Sequence, residues 1–276
     1  MQATNRQTGS TTAAVLFALA ILILVVYIII LFASRQYAAP APITANARDI
    51  DHQYHLTLWI TGILFVAAQL ALAFAVFSFR DRGQRARFFA GNLGVEIAGG
   101  TAAIVIFLGL GFLGRKAWAA VRYTGPPTGS VQIEVTEMQF QFVFRYPGPD
   151  GRFGRIDPAL ISAETGNALG IDPNSPDGRD DIVTSGTLAV PVGRPIELLL
   201  RSQDVIHSFF VRELRLQQDA VPGLVIPVHF TPDKAGDYDI VCTQLCGLGH
   251  SKMHAVLKVM SETDYDNFLK QQAAAQ

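Results

Sequence analysis

Three long runs almost free of charge restrict this chain more than any other feature. Residues 12–33, "TAAVLFALAILILVVYIIILFA", and 56–79, "LTLWITGILFVAAQLALAFAVFSF", carry no ionisable acid or base, and 93–114, "LGVEIAGGTAAIVIFLGLGFLG", is interrupted only by Glu96 near its start. At a helical rise of about 1.5 Å per residue, each run is long enough to cross the ~30 Å apolar layer of a bilayer. Three transmembrane helices are therefore predicted, over about 12–33, 56–79 and 93–114. The first run is longer than the roughly 7–15 residues of a secretory signal core, and only Arg6 precedes it. It reads as a retained helix.

The short connections set the orientation. "RDRGQRAR" places Arg80, Arg82, Arg85 and Arg87 against Asp81 alone, whereas the first connection mixes Arg35 and Arg48 with Asp49 and Asp51. Excess arginine stays in the cytoplasm, so residues from about 122 onward, and the loop "YAAPAPITANARDIDH", lie outside it. The formal charge of −1 conceals an asymmetry: residues 122–276 contain 13 Lys plus Arg and 19 Asp plus Glu, a net −6. An acidic outer surface suits a basic soluble partner through long-range steering, and nothing here suits nucleic acid.

From Val131 the periodicity changes from helical to alternating. "VQIEVTE", "FQFVFRY", "TLAVPVG", "PIELLLRS", "VIHSFFV", "LVIPVHFTP", "GDYDIVC" and "HAVLKVM" are eight strand candidates separated by turn formers. They predict a β-sandwich or a Greek-key barrel. The organisation expected is a helical membrane anchor over 1–121, an extracytoplasmic sandwich over 122–265 with a long outlying loop at about 147–183, and a tail over 266–276 that begins as a short helix. The acidic stretch "DPNSPDGRDD" lacks the spacing of an EF-hand loop. No P-loop, dinucleotide fingerprint or GxSxG elbow occurs, so nucleotide chemistry and serine hydrolysis have no support.

The only two cysteines lie in "VCTQLCGLGHSKM", Val241 to Met253. Outside the cytoplasm a disulfide is the default for such a pair, but it accounts for two residues of a series, Cys242, Cys246, His250 and Met253, spaced by four, four and three. Zinc would take thiolates and imidazoles and has no need of the thioether. Thiolate, imidazole and thioether together favour copper. A second imidazole must come from elsewhere, and His207 in "DVIHSFFV" is the candidate. His52, His55, His229 and His254 are not needed by this pattern.

The stretches "GNLGVE", "DVIHSFFV", "QDAVPG" and "PDKAGDYDIVCTQLCGLGHSKM" resemble subunit II of the haem-copper oxidases, across roughly residues 45–265. The resemblance implies a membrane-anchored, all-β protein with a cupredoxin-like sandwich holding a binuclear copper centre, CuA. Two copper ions would be bridged by Cys242 and Cys246, with His207 and His250 as terminal ligands and Met253 and the Gln244 carbonyl as weak ones. It further implies electron entry from cytochrome c or another small donor, delivery to haem in subunit I, and reduction of oxygen to water. The location would be a bacterial inner membrane, among lipid and other subunits, with the copper domain periplasmic or extracellular. A nitric oxide reductase of the same superfamily is the alternative. The catalytic haem and copper must lie in another chain, because the apolar runs contain no histidine.

Three departures from the family pattern stand out. Gln244 replaces a glutamate that helps bind magnesium at the boundary with subunit I, which puts that magnesium in question while sparing a carbonyl ligand. Phe140 and Phe142 occupy places where the family carries tryptophans, one of them the electron-entry residue; phenylalanine offers a donor no indole N–H. The first helix is additional to the family's usual two. Glu96 matches a glutamate at the mouth of a proton channel, and an ionisable group in a membrane segment is a functional candidate.

Overall fold

The computed structural model describes residues 10–34, 38–82, 88 and 90–276. Arg6, Arg35, Arg85 and Arg87, named above, lie outside the described residues. The chain forms two compact units, one from the described residues of 1–38 and 52–114 and the other from 39–51 and 115–276.

The three apolar runs are helices: α1 (Thr11–Ser34), α2 (Ala45–Ser78) and α3 (Leu93–Arg122). Each is long and apolar enough to cross a membrane. In the first unit, α1 meets α2 through Ala18, Ile21, Val25 and Ala73, small or β-branched side chains that let the backbones come close. The Gln53 amide of α2 donates to the Leu110 carbonyl of α3 at 3.3 Å. No residue of α3 is buried within the chain, as expected for a helix that faces lipid or another subunit.

Both α2 and α3 overrun their apolar stretches, and only at the ends that belong to the second unit. Helix α2 begins at Ala45 rather than near 56, capped by the Thr44 hydroxyl, which accepts from the Ala47 amide at 3.0 Å. Helix α3 continues past Gly114 to Arg122, where the guanidinium donates to the Gln217 carbonyl at 2.9 Å. Ile43, just before α2, lies in the sandwich core. Its amide donates to Glu213 O and its carbonyl accepts from Asp233 N, while Arg215 holds Asp51 at 2.8 Å. The end of the α1–α2 connection and the start of α2, residues 39–51, therefore belong to the sandwich unit.

The sandwich has ten strands: β1 (Val131–Met138), β2 (Gln141–Tyr146), β3 (Ile182–Ser185), β4 (Thr187–Pro191), β5 (Ile196–Ser202), β6 (His207–Val211), β7 (Leu216–Ala220), β8 (Ile226–Phe230), β9 (Gly236–Cys242) and β10 (His254–Met260). They form two sheets, ordered β3-β2-β1-β5-β8 and β4-β10-β9-β6-β7. The eight expected strands are present; β3 and β7 are additional. β3 is only four residues long at the end of a turn-rich stretch, and β7, "LQQDA", is an edge strand with three polar residues in a row, so neither shows a clear period of two.

Alternate residues of β5 and β10 are buried, and Leu198, Leu200, Phe209, Val211, Ile240 and Leu257 interleave in one core. β1 and β2 are buried on both faces. The reason is the 147–181 excursion, which is not an outlying loop: Leu169 packs with Met138 and Val143, and Asp181 pairs with Arg145. The tail is likewise part of the fold. Helix α4 (Glu262–Ala274) starts before 266, is capped by Ser261, and buries Tyr265 in the core, with Phe268 and Leu269 against it.

Candidate metal centre

Strand ends bring the candidate ligands together. His207 opens β6 and Cys242 closes β9, and these strands pair with Phe209 opposite Cys242. His254, at the start of β10, pairs with Val241. The turn between β9 and β10 must therefore return within eleven residues, 243–253, and it carries Gln244, Cys246, His250 and Met253. The Met253 carbonyl accepts from the Cys242 amide at 3.2 Å, which closes the loop at its base.

Within this loop both cysteines are free and buried, with sulfurs 3.8 Å apart. Cys246 Sγ is 3.5 Å from His250 Nδ1 and 3.8 Å from Met253 Sδ, and Cys242 Sγ is 3.2 Å from the Gln244 carbonyl. One ligand atom each from His207, Cys242 and Cys246 lies within 4.8 Å of the others. The disulfide default is not realised. Burial, with the neighbouring Cys242 second, pushes the Cys246 thiol up to about 11, so this thiol stays protonated in neutral water unless a cation displaces its proton.

His207 supplies the decisive detail. It is completely buried. Its Nε2 lies 2.7 Å from Asp204 Oδ1, and its Nδ1 has no partner among the described residues. A hydrogen bond to a carboxylate assigns the proton to Nε2, leaving the Nδ1 lone pair bare. A buried imidazole nitrogen without a partner is costly unless something binds it; beside two thiols, a soft metal ion fits. Asp204 was not among the residues picked out from the sequence, although its place three residues before the histidine in "DVIHSFFV" was a usable signal. Burial works against its charge, but hydrogen bonds from His207 and from the Gln139 and Val205 amides outweigh it and hold the carboxyl below the usual range. Such partners fix a ligand's tautomer and orientation. Asp204→Ala is expected to weaken copper retention roughly 10- to 100-fold, read by competition with a chelator, while the variant keeps its β-sheet circular dichroism.

The two phenylalanines part company. Phe142 is fully buried, edge-on to Phe209 at 6.3 Å between ring centres, and it offers no surface to a donor. Phe140 is partly exposed, at the turn between β1 and β2, with its ring against the backbone of Gly247 and Gly249. The neighbouring Gln139 amide donates to the Cys246 carbonyl at 2.6 Å. Glu96 is exposed in the first turn of α3, with its carboxylate folded back over Gly91. An acidic group there suits the positive end of the helix dipole.

The family described as "Cytochrome C oxidase subunit II, periplasmic domain" matches residues 177–260. The alternative cytochrome c oxidase subunit 2 of Bradyrhizobium diazoefficiens is 37% identical over 239 residues, covering 84% of this chain and 83% of that protein. The chain belongs to the cytochrome c oxidase subunit II family. Cytochrome c oxidase subunit 2 of Cereibacter sphaeroides is 27% identical over 244 residues, covering 82% and 78% of the two chains. A crystal structure of the periplasmic domain of subunit II of cytochrome oxidase from Bradyrhizobium japonicum aligns with a TM-score of 0.41 at 22% identity, over 55% of this chain and 99% of that one. As a subunit II, the chain is part of an oxidoreductase complex whose catalytic site is in subunit I. Its sandwich is the periplasmic domain of a membrane protein. The nitric oxide reductase alternative draws no support from this family match or from these relatives.

Proposed function

We propose that this chain is the electron-entry subunit of a haem-copper oxidase of a bacterial inner membrane, holding two copper ions as a CuA centre. The observation that carries the reading is fully buried His207, whose Nδ1 has no hydrogen-bond partner among the described residues and one of whose ring nitrogens lies within 4.8 Å of two free thiols. Cys242, Cys246, His207 and His250 would hold the ions, with Met253 and the Gln244 carbonyl completing the set. Such a centre, when bound, takes up and gives out one electron at a time with little rearrangement.

The chain's own residues do the rest. Asp204 holds the His207 ring in one tautomer, the Gln139 amide fixes the Cys246 end of the loop, and burial of both cysteines excludes water. Phe140 is the surface through which a soluble donor such as cytochrome c makes contact, and haem in subunit I receives the electron for reduction of oxygen to water. Glu96 would admit protons from the cytoplasmic side, and Glu96→Gln is then expected to slow oxygen consumption without changing copper content.

The test is purification of the intact complex, metal analysis, electron paramagnetic resonance and oxygen consumption. Two coppers per subunit II with hyperfine coupling to two equivalent nuclei are expected; a single copper, or a Cys242–Cys246 disulfide in the metal-bearing complex, would remove the proposal. Gln244 is exposed and only its carbonyl approaches a thiol, so Gln244→Ala is expected to retain both coppers. Loss of metal would show that the side chain takes part. A magnesium ion at the subunit I boundary would have to find a carboxylate other than residue 244.

A further inference from the structure

We propose that Glu137, a carboxyl sealed inside the sandwich at its copper end, takes up a proton from external water when an electron arrives at the copper centre and releases it when the electron moves on. This rests on the copper reading above and assigns a proton-binding site that is coupled to it.

Strand β1 carries Glu137 inward. Ile133 and Val135, four and two residues before it, both lie in the sandwich core, and residues two apart share one face of a strand. Its partner on β2 is Phe142, which belongs to the same core. Glu137 is completely buried, and neither carboxyl oxygen has a hydrogen-bond partner among the described residues. Two connections tie this end of β1 to the candidate ligands. The Glu137 carbonyl accepts from the Gln203 amide at 3.0 Å, and the next residue is Asp204, which holds His207. Phe142 meets Phe209 edge-on at 6.3 Å, and Phe209 pairs with Cys242 across β6 and β9.

The charges around it leave this carboxyl uncompensated. Arg145 and Arg201 both turn to Glu134 on the outer face of β1. The 147–181 excursion packs on that outer face too, through Leu169 against Met138 and Val143, and its Glu164 is exposed. Strand β5 sets Ser202 beside Glu137, and Asp204 in the following turn is committed to His207 and to the Gln139 and Val205 amides. From β6, β9 and the loop after β9, the titratable groups at this end are His207, Cys242, Cys246 and His250, all candidate ligands. Asp219 of β7, opposite Ser208, is near enough for its charge to oppose ionisation. Burial first and Asp219 second hold the Glu137 carboxyl well above the ordinary carboxylate range. A carboxylate at this place would lack both a hydrogen bond and a neighbouring side-chain cation, so its proton affinity is set by the net charge of the copper end. One electron arriving there removes one unit of positive charge. At a separation of about 10 Å and an effective dielectric of about 20, that changes a proton affinity roughly ten-fold. The balance is one electron from the donor to copper and one proton from external water to a Glu137 oxygen. Both leave when the electron passes to subunit I.

The experiment is a redox titration of the copper absorption in the intact complex, from about pH 5 to about pH 9, the range in which buried glutamates titrate. Because the reduced state binds the proton more tightly, the midpoint potential is expected to fall as pH rises. The total fall corresponds to roughly ten-fold in the reduction equilibrium, about 59 mV for one electron. Glu137→Gln, isosteric and neutral, is expected to keep the two-copper resonance and to hold the potential at its acid-side value throughout. Glu137→Asp, which keeps a carboxyl, is expected to retain a fall with pH. Infrared difference spectra of the unmodified complex, with isotope-labelled glutamate for assignment, are expected to show a carboxylic acid C=O band gained on reduction. The same pH dependence in the unmodified and Glu137→Gln complexes would overturn the proposal, as would a potential independent of pH, or a reduction spectrum without that band, in the unmodified complex. Where a variant fails to hold copper, the presence or absence of the band in the unmodified complex decides. A divalent cation bound to the unmodified complex and lost with Glu137→Gln would also overturn it, because the carboxyl would then be a metal ligand. Absence of the two-copper signal from the unmodified complex would instead remove the reading on which the proposal stands.

Discussion

Cys246→Ser is expected to abolish the delocalised two-copper resonance and to lower donor-dependent oxygen consumption by at least ~100-fold, since even loss of a ligand's supporting partner costs roughly 10- to 100-fold in metal sites. Cys246 is the hub of the donor set: its sulfur lies 3.8 Å from Cys242 Sγ, 3.5 Å from His250 Nδ1 and 3.8 Å from Met253 Sδ. A serine oxygen is harder and less basic toward copper than a thiolate and does not share an electron between two ions. The substitution is nearly isosteric in a buried site, so the sandwich should still fold. One residual copper, or none, with intact β-structure is the expected outcome. A resonance still split by two equivalent copper nuclei would show that Cys246 is not a bridge.

The convergence of Cys242, Cys246, His250 and Met253, with His207 beside the two thiols, was legible because copper chemistry constrains residue type and spacing together. Five of the six proposed donor positions fall in thirteen consecutive residues, and the sixth, His207, stands out as a histidine in an apolar strand. What spacing did not reveal is how the imidazole is held. Asp204 works through a geometry, a carboxylate 2.7 Å from Nε2, that exists only once the turn before β6 has formed. The split between Phe140 and Phe142 was hidden for a related reason. Two residues apart, they face the same side in an ordinary strand, yet Phe140 lies in the turn before β2 and Phe142 within it, so one is exposed and the other sits in the core.

The membrane spans were legible because apolar length is a one-dimensional signal. Their polar ends were not, since "ANARDIDHQY" is helical only with Thr44 as its cap and Ile43 and Ala47 buried. The 147–181 excursion was obscured by its composition. Clustered Asp, Gly and Pro read as solvated loop, and the groups that tie it down are charged residues normally found on surfaces. Arg145 is the clearest case: in "FQFVFRY" it takes an outward position, as in a half-exposed strand, but the excursion closes over that face.

Removing Arg145 should expose that dependence. Its Nε donates to Glu134 Oε2 at 2.7 Å and its Nη1 to Asp181 Oδ2 and to the Gly154 carbonyl, each at 2.9 Å. Its Nη2 also donates to Glu134, and the Phe153 ring lies 4.9 Å from the guanidinium. The arginine is 2% exposed. Arg145→Met keeps much of the volume and leaves two buried carboxylates without their shared cation, apart from Arg201 on the outer side of Glu134. A buried pair broken from one side typically costs about 3–5 kcal/mol, or roughly 10 °C in midpoint for a domain of this size. Burial already raises the Asp181 carboxyl, opposed by the Gly154 amide and Arg145, and loss of the arginine raises it further. A carboxyl whose folded pKa exceeds its unfolded value binds more protons in the folded state, so the variant should regain stability as pH falls through the folded value and lose it as pH rises. None of the six proposed copper donors touches this cluster, and the unmelted variant should keep the two-copper spectrum while its sandwich unfolds earlier. Thermal circular dichroism of the full chain in detergent at pH 7 and at pH 5 checks both halves. An unchanged midpoint, or a deficit that grows on acidification, would show that the guanidinium does not hold the excursion to β1 and β2.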